Sequence, residues 1–339
     1  MGLVGILLGA LVAVTYGTAD FLGGFSSRRL PVPCVLVGSQ LVGLLVLVGL
    51  VLVTGVGHVT SSDVVHGVAA GVVGLVALAM FFQAFVQGSM AVVAPIAAVG
   101  TAVVPFVWAV AVGGERPSGL AVAGVVLAVT GVVIVARPAP ALSPVGVGAG
   151  PVGAPTSVAG AAEWPAPAVP SGQLTARPVP GPSGPLVPAA ASPRARTRVV
   201  DLARAAGSGA AFGTVFILLS DAGHDARLVP LLVARLTSLP LAALWLTVHI
   251  VRTGWRPAVA LRTRSTGGLL AAQGVFDTSA NALFVAAAHT GLLSEVAVVS
   301  ALYPAPTVVL ASVVLHEPVG RAQRYGLVLV LAGVVLIAT

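Results

Sequence analysis

Ten apolar runs, separated by short polar or glycine-rich turns, cover most of this 339-residue chain. The first five fall at Leu3–Leu22, Val35–Val53, Val64–Phe85, Ala91–Val112 and Leu120–Ala136, and the second five at Ala203–Ser220, Val229–Ile250, Gly267–Ala288, Val296–Leu315 and Tyr325–Ala338. A hydrocarbon core takes about 20 helical residues to cross. The runs are continuous, without the alternation of barrel strands, so the pattern predicts membrane helices. Pro95 and Pro105 in the fourth, Pro240 in the seventh, and Pro304 and Pro306 in the ninth are expected to break their helices beside a neighbouring helix or a polar cavity.

Two of the runs are one pattern written twice. Glu115–Ala136 and Glu317–Ala338 align without a gap at an offset of 202 and share Gly124/Gly326, Val126/Val328, Leu127/Leu329, Gly131/Gly333, Val132/Val334 and Val133/Val335 besides their end residues. An internal duplication in a membrane protein is the mark of a secondary transporter. Five spans is an odd number, so the second copy enters the bilayer from the opposite side. The predicted fold is therefore all-α and polytopic: ten transmembrane helices as two inverted five-helix repeats, with a solute site near the midplane between them.

Residues 138–197, between the halves, hold 14 of the 25 prolines and little charge before Arg194. That composition predicts a disordered linker. The expected units are a first repeat at 1–137, a linker at 138–197 and a second repeat at 198–339.

Composition agrees. The chain is 57% hydrophobic and 8% charged, with mean hydropathy +1.05, far from the ~25% charge of soluble domains. Leu3 onward lacks a basic leading region and reads as a first membrane helix rather than a removed signal. All 17 basic residues are arginine, and the net charge is +7. Nothing interleaves them with aromatics as a base-reading surface would, so no nucleic-acid partner is expected. Fourteen lie in odd-numbered loops, among them Arg28, Arg29, Arg137, Arg194 and Arg252, against Arg116 and Arg227 in even-numbered loops. The positive-inside rule then places the linker in the cytoplasm and both termini outside. The single cysteine, Cys34, is expected to serve packing.

The residues resemble a known family. Gly114-Glu115-Arg116-Pro117 and His316-Glu317-Pro318, each followed by a Gly…Gly-Val-Val helix, and the opening Tyr16-Gly17-Thr18-Ala19-Asp20, echoed weakly by Phe212-Gly213-Thr214, are similar to the EamA family of the drug/metabolite transporter superfamily. The resemblance implies ten-helix permeases in the cell membrane that move small metabolites, amino acids or drugs, often outward and often against a proton gradient. It implies a small-molecule substrate and no cofactor. It also implies cytoplasmic termini, against the arginine distribution, and it supplies no substrate-binding pattern.

Within the eighth span, Gln273, Asp277 and Asn281 recur every four residues, advancing only about 40° per step, and so form one polar stripe. A carboxylate at mid-membrane is costly unless it faces protein or water. Asp277 reads either as a proton carrier or as part of an interhelical hydrogen-bonded contact. Arg235, about six residues into the seventh span, is the one arginine well inside a span. Counting ~1.5 Å per residue, it lies about 9 Å and Asp277 about 18 Å below the outer surface, within reach of each other. Arg235 either pairs with Asp277 or snorkels to the interface. A pair would hold Asp277 ionised and conflict with a proton carrier.

Asp20, at the inner end of the first span, reads as interfacial or as a second coupling candidate. Gln83, Tyr16, Tyr303, Trp108 and Phe276 are candidates to line the pathway; a phenol inside a bilayer needs a partner. Glu115 and Glu317, with Pro117 and Pro318, are expected to be structural, each acid favouring a helix N-terminus. Gly124, Gly131, Gly326 and Gly333 are expected to let the fifth helices pack closely.

No phosphate loop, metal-ligand spacing or nucleophile elbow occurs, so neither an enzyme, a metal site nor an ATP-driven pump is predicted. The lead expectation is an alternating-access exporter, working as a monomer or homodimer. The alternative is a non-transporting scaffold or sensor that docks partners through the Pro-rich linker.

Overall fold

The computed structural model describes residues 3–112, 114, 118–135, 193–220, 226–256, 264–289, 302–317 and 319–337. Among these residues ten helices run in order: α1 (Leu3–Ser27), α2 (Val32–Thr54), α3 (Ser61–Gln87), α4 (Met90–Ala111), α5 (Gly119–Val135), α6 (Pro193–Ser220), α7 (Val229–Thr253), α8 (Arg264–His289), α9 (Pro304–Val314) and α10 (Arg321–Ile337). No strand occurs among them. The expected linker from 138 to 192, and Glu115, Pro117 and Pro318, lie outside the described residues.

Local chemistry sets the helix ends. Thr60 and Asp63 close a capping box at the start of α3, with Asp63 Oδ2 accepting the Thr60 N–H at 2.7 Å. α2 and α7 both begin on Val-Pro, where the proline ring suits the first turn. Proline also explains two departures from expectation. α6 starts at Pro193, inside the stretch assigned to the linker, and α9 starts at Pro304 rather than Val296; residues 296–301 lie outside the description. Pro95, Pro105 and Pro240 do not break their helices, since each deletes a single intrahelical bond while tight neighbours hold the rest. At Pro105, a methyl placed on Gly213 of α6 would lie 3.1 Å from the ring.

The packing repeats under exchange of the two halves. α3 packs on α6 as α8 does on α1; α3 packs on α7 as α8 does on α2; α4 meets α6 as α9 meets α1. α2 contacts α7, α4 contacts α9 and α5 contacts α10, each helix against its own counterpart. These self-pairs are antiparallel. In α5 and α10, Gly131 faces Gly326 and Val330 while Gly333 faces Gly124 and Ala128. A methyl at Gly131 would lie 2.7 Å from Gly326 O, and one at Gly333 would lie 2.6 Å from Gly124 O. Only glycine permits backbones that close. Arg227, at the start of α7, donates to Thr54 O at the end of α2. Thr253 and Gly254 lie at the other end of α7, a helix about 38 Å long at 1.5 Å per residue. The fold is thus two inverted five-helix repeats interleaved across a pseudo-two-fold axis perpendicular to the helices.

Six described helices are long and apolar enough to cross a bilayer: α1, α2, α3, α4, α6 and α7. α5 and α9 are shorter apolar helices, and α8 carries the polar stripe. The apolar outward faces, such as Leu45, Leu52 and Val53 of α2, suit lipid contact. Cys34 is buried in the main apolar cluster with Phe81, Phe82 and Phe85.

Candidate functional site

The polar stripe of α8 faces α1 and α2, where small residues bring the backbones together. Gly274 abuts Gly43 of α2, and a methyl on Gly43 would sit 2.5 Å from Thr278 Oγ1 and 3.9 Å from Arg235 Cζ. On α1, Gly23 lies against the Gln273 amide. This approach lets short polar groups meet inside the bundle.

Arg235 of α7 forms an ion pair with Asp277, its Nη2 donating to Oδ2. The guanidinium side chain is 10% exposed, so it is buried and paired, not snorkelling. Asn281 Nδ2 donates to Asp277 O at 2.7 Å, and its Oδ1 accepts the Tyr16 hydroxyl at 3.0 Å. Tyr16 stands edge-on to Tyr303, ring centroids 6.4 Å apart, at the turn that opens α9. Asp20, one turn along α1, feels the charge of Asp277 and has no hydrogen bond or ion pair among the described residues. An ion pair, hydrogen bonds and a ring contact therefore join Tyr16, Arg235, Asp277, Asn281 and Tyr303 in one layer drawn from both halves, with Asp20 and Gln273 one helical turn away along α1 and α8.

Three polar groups that sequence reasoning missed border this layer. Ser238 Oγ donates to Gln40 Oε1 between α7 and α2. Thr278 is fully buried, and among the described residues its hydroxyl has no partner; nor do Gln40 Nε2 and Gln273 Oε1. Gln40 and Ser238 were hidden because neither carries a charge and each finds its partner on the other helix.

Several expected residues lie elsewhere. Gln83 is half-buried on α3 with no hydrogen bond to the layer. Trp108 and Phe276 are 47% and 38% exposed. Phe276 is one position, about 100° of rotation, from Asp277, which turns it aside from the stripe.

Glu317 is a structural acid, but the helix it serves is not the one that follows it. His316 adopts a left-handed backbone with φ of 53°, and Glu317 reaches back to α4. Its carboxylate accepts Ser89 Oγ at 2.8 Å and Met90 N–H at 3.0 Å, capping a helix whose own Ser89 side chain makes no cap. Arg28 completes the clamp, donating to Glu317 Oε1 at 2.6 Å and to the Phe85 and Gly88 carbonyls at 3.0 Å. The clamp ties the connections after α1, α3 and α9 on one face.

An inverted-repeat helical bundle with a charged layer buried where its halves cross belongs to the polytopic transporter class. The family model described as the EamA-like transporter family matches residues 3–137 and 203–339. The chain belongs to that family and is a multi-pass membrane protein. No curated protein matches it.

Proposed function

We propose that the protein exports small organic solutes (metabolites, amino acids or drugs) by alternating access, with solute bound at the layer around Arg235 and Asp277. The carrying observation is the buried Arg235–Asp277 pair beside unpartnered polar groups at the crossing of two inverted repeats. Buried charge inside a bilayer is costly and is retained where it serves transport. The Arg28–Glu317 clamp closes one face, and its opening admits or releases solute there. The arginine-rich face, with the linker at 138–192, is cytoplasmic and both termini are outside.

Proton coupling runs through two acids. Asp277 takes a proton only when its pair with Arg235 opens; Asp20 is the second acceptor. Reconstitution into proteoliposomes with an imposed pH gradient tests the reading. Solute-driven proton movement is expected in the unaltered protein and reduced in Asp277→Asn. Solute flux that persists unchanged in Arg235→Gln and Asp277→Asn would remove the layer from the pathway.

A further inference from the structure

The chemistry of the Arg235–Asp277 pair selects the charge of the solute; the inference rests on reading this layer as the solute site. A solute ion can bind only by taking one member from the other, and the two members are not equivalent. Guanidinium does not lose its proton in proteins. A cationic solute that captured Asp277 would therefore leave Arg235 charged, buried and unpaired. A carboxylate does have an alternative, because it becomes neutral by accepting one proton. An anionic solute that captured Arg235 leaves Asp277 able to do so.

We infer that the protein takes solutes bearing a carboxylate, which replaces Asp277 on Arg235 while Asp277 accepts one proton. Charge balances: guanidinium with Asp277 carboxylate becomes guanidinium with solute carboxylate, beside a neutral Asp277. The planar fork of arginine suits a carboxylate. The Thr278 hydroxyl, buried, unpartnered and bordering Gly43 with the guanidinium, supplies a further donor. The titratable groups around Asp277 are Arg235 from α7 and Tyr16 and Asp20 from α1, with Tyr303, from the turn before α9, behind Tyr16. α2, packed along α8, carries no charged residue.

The test uses two probes with matched rings and opposite charge, phenylacetate and 2-phenylethylamine, titrated calorimetrically into the full chain in buffers of different ionisation enthalpy. Phenylacetate is expected to bind more tightly, with uptake of about one proton per solute. In Asp277→Asn the competitor and the proton acceptor are both gone, so uptake falls to about zero and affinity rises about tenfold, one pK unit of relief. Three results overturn the inference: tighter binding of the amine, phenylacetate binding without proton uptake, or uptake surviving in Asp277→Asn. Circular dichroism and size-exclusion profiles show whether each variant is folded. The two readings separate in counterflow assays. If 2-phenylethylamine exchanges and phenylacetate does not, the transporter stands and the carboxylate selection falls. If neither probe binds, the selection falls while counterflow of any other solute preserves the transporter.

Discussion

The α1–α8 crossing and the α3–α6 crossing are one contact made twice, and their chemistry is opposite. Aligning Tyr16-Gly17-Thr18 with Phe212-Gly213-Thr214 sets Tyr16 against Phe212 and Asp20 against Phe216. The shared Val-Pro of α2 and α7 sets Gly38 against Arg235, and the offset of 202 sets Leu75 against Asp277, Gly71 against Gln273 and Ala79 against Asn281. Tyr16, Asp20, Arg235, Gln273, Asp277 and Asn281 thus each have an apolar or small counterpart. Where Tyr16 donates to Asn281 in one crossing, Phe212 stands edge-on to Phe81 in the other, ring centroids 5.8 Å apart, with Leu75 and Ala79 in the same apolar cluster. The apolar copy shows that the fold needs no charge at this position. On the proposed function, the polar copy is kept for the solute it binds.

Breaking the pair tests that contrast most severely. Arg235→Met strands Asp277 and is expected to cost about 3–5 kcal/mol. Arg235→Met with Asp277→Leu copies the apolar crossing and should recover most of that loss while abolishing transport. Melting in detergent checks both; a double variant as unstable as the single would mean that the charges are not what matters.

The α5–α10 crossing sharpens the comparison from the other side, because here both copies kept glycine. Gly131→Leu meets the Gly326 and Val330 backbone, which cannot yield as a side chain does. A loss of about 1–3 kcal/mol is expected. Gly268→Leu, with nothing within 4 Å, should be close to neutral. Equal melting temperatures for the two would argue against this tight contact.

The clamp is a one-sided feature of a different kind. Glu317→Gln keeps acceptors for Ser89 and Met90 but loses the charge on Arg28, whose side chain is 27% exposed. About 1 kcal/mol is expected, fading at high salt. Melting the protein across a salt series measures it, and a difference that does not shrink with salt would assign the loss to hydrogen bonding alone.

The smallest change restores a single counterpart. Tyr16→Phe removes one hydrogen bond, for roughly 0.6 kcal/mol, and is expected to leave melting almost unmoved while slowing solute flux. Unchanged flux would make Tyr16 a packing residue.

Much of the fold was legible because apolar run length and duplication are both one-dimensional signals. Residues 273, 277 and 281 were legible as a stripe because helical period is local. Other features were not. Gln40 and Ser238 meet across 198 residues, and nothing in either helix foretells the other. Glu317 was expected beside a helix start, and the start its carboxylate caps is 227 residues away. Trp108 and Phe276 show the converse error: aromatic character does not say which way a helix is turned.

What the chain alone determined is membrane residence, ten apolar segments, their inverted duplication and the membership of one polar stripe, because period and hydropathy depend only on neighbours along the chain. Tertiary structure decided whether Arg235 pairs or snorkels, since that depends on the rotation of α7 and on how closely Gly43 and Gly274 let α2 and α8 approach. A buried charge takes whichever partner packing brings within reach, and packing is a property of the whole bundle.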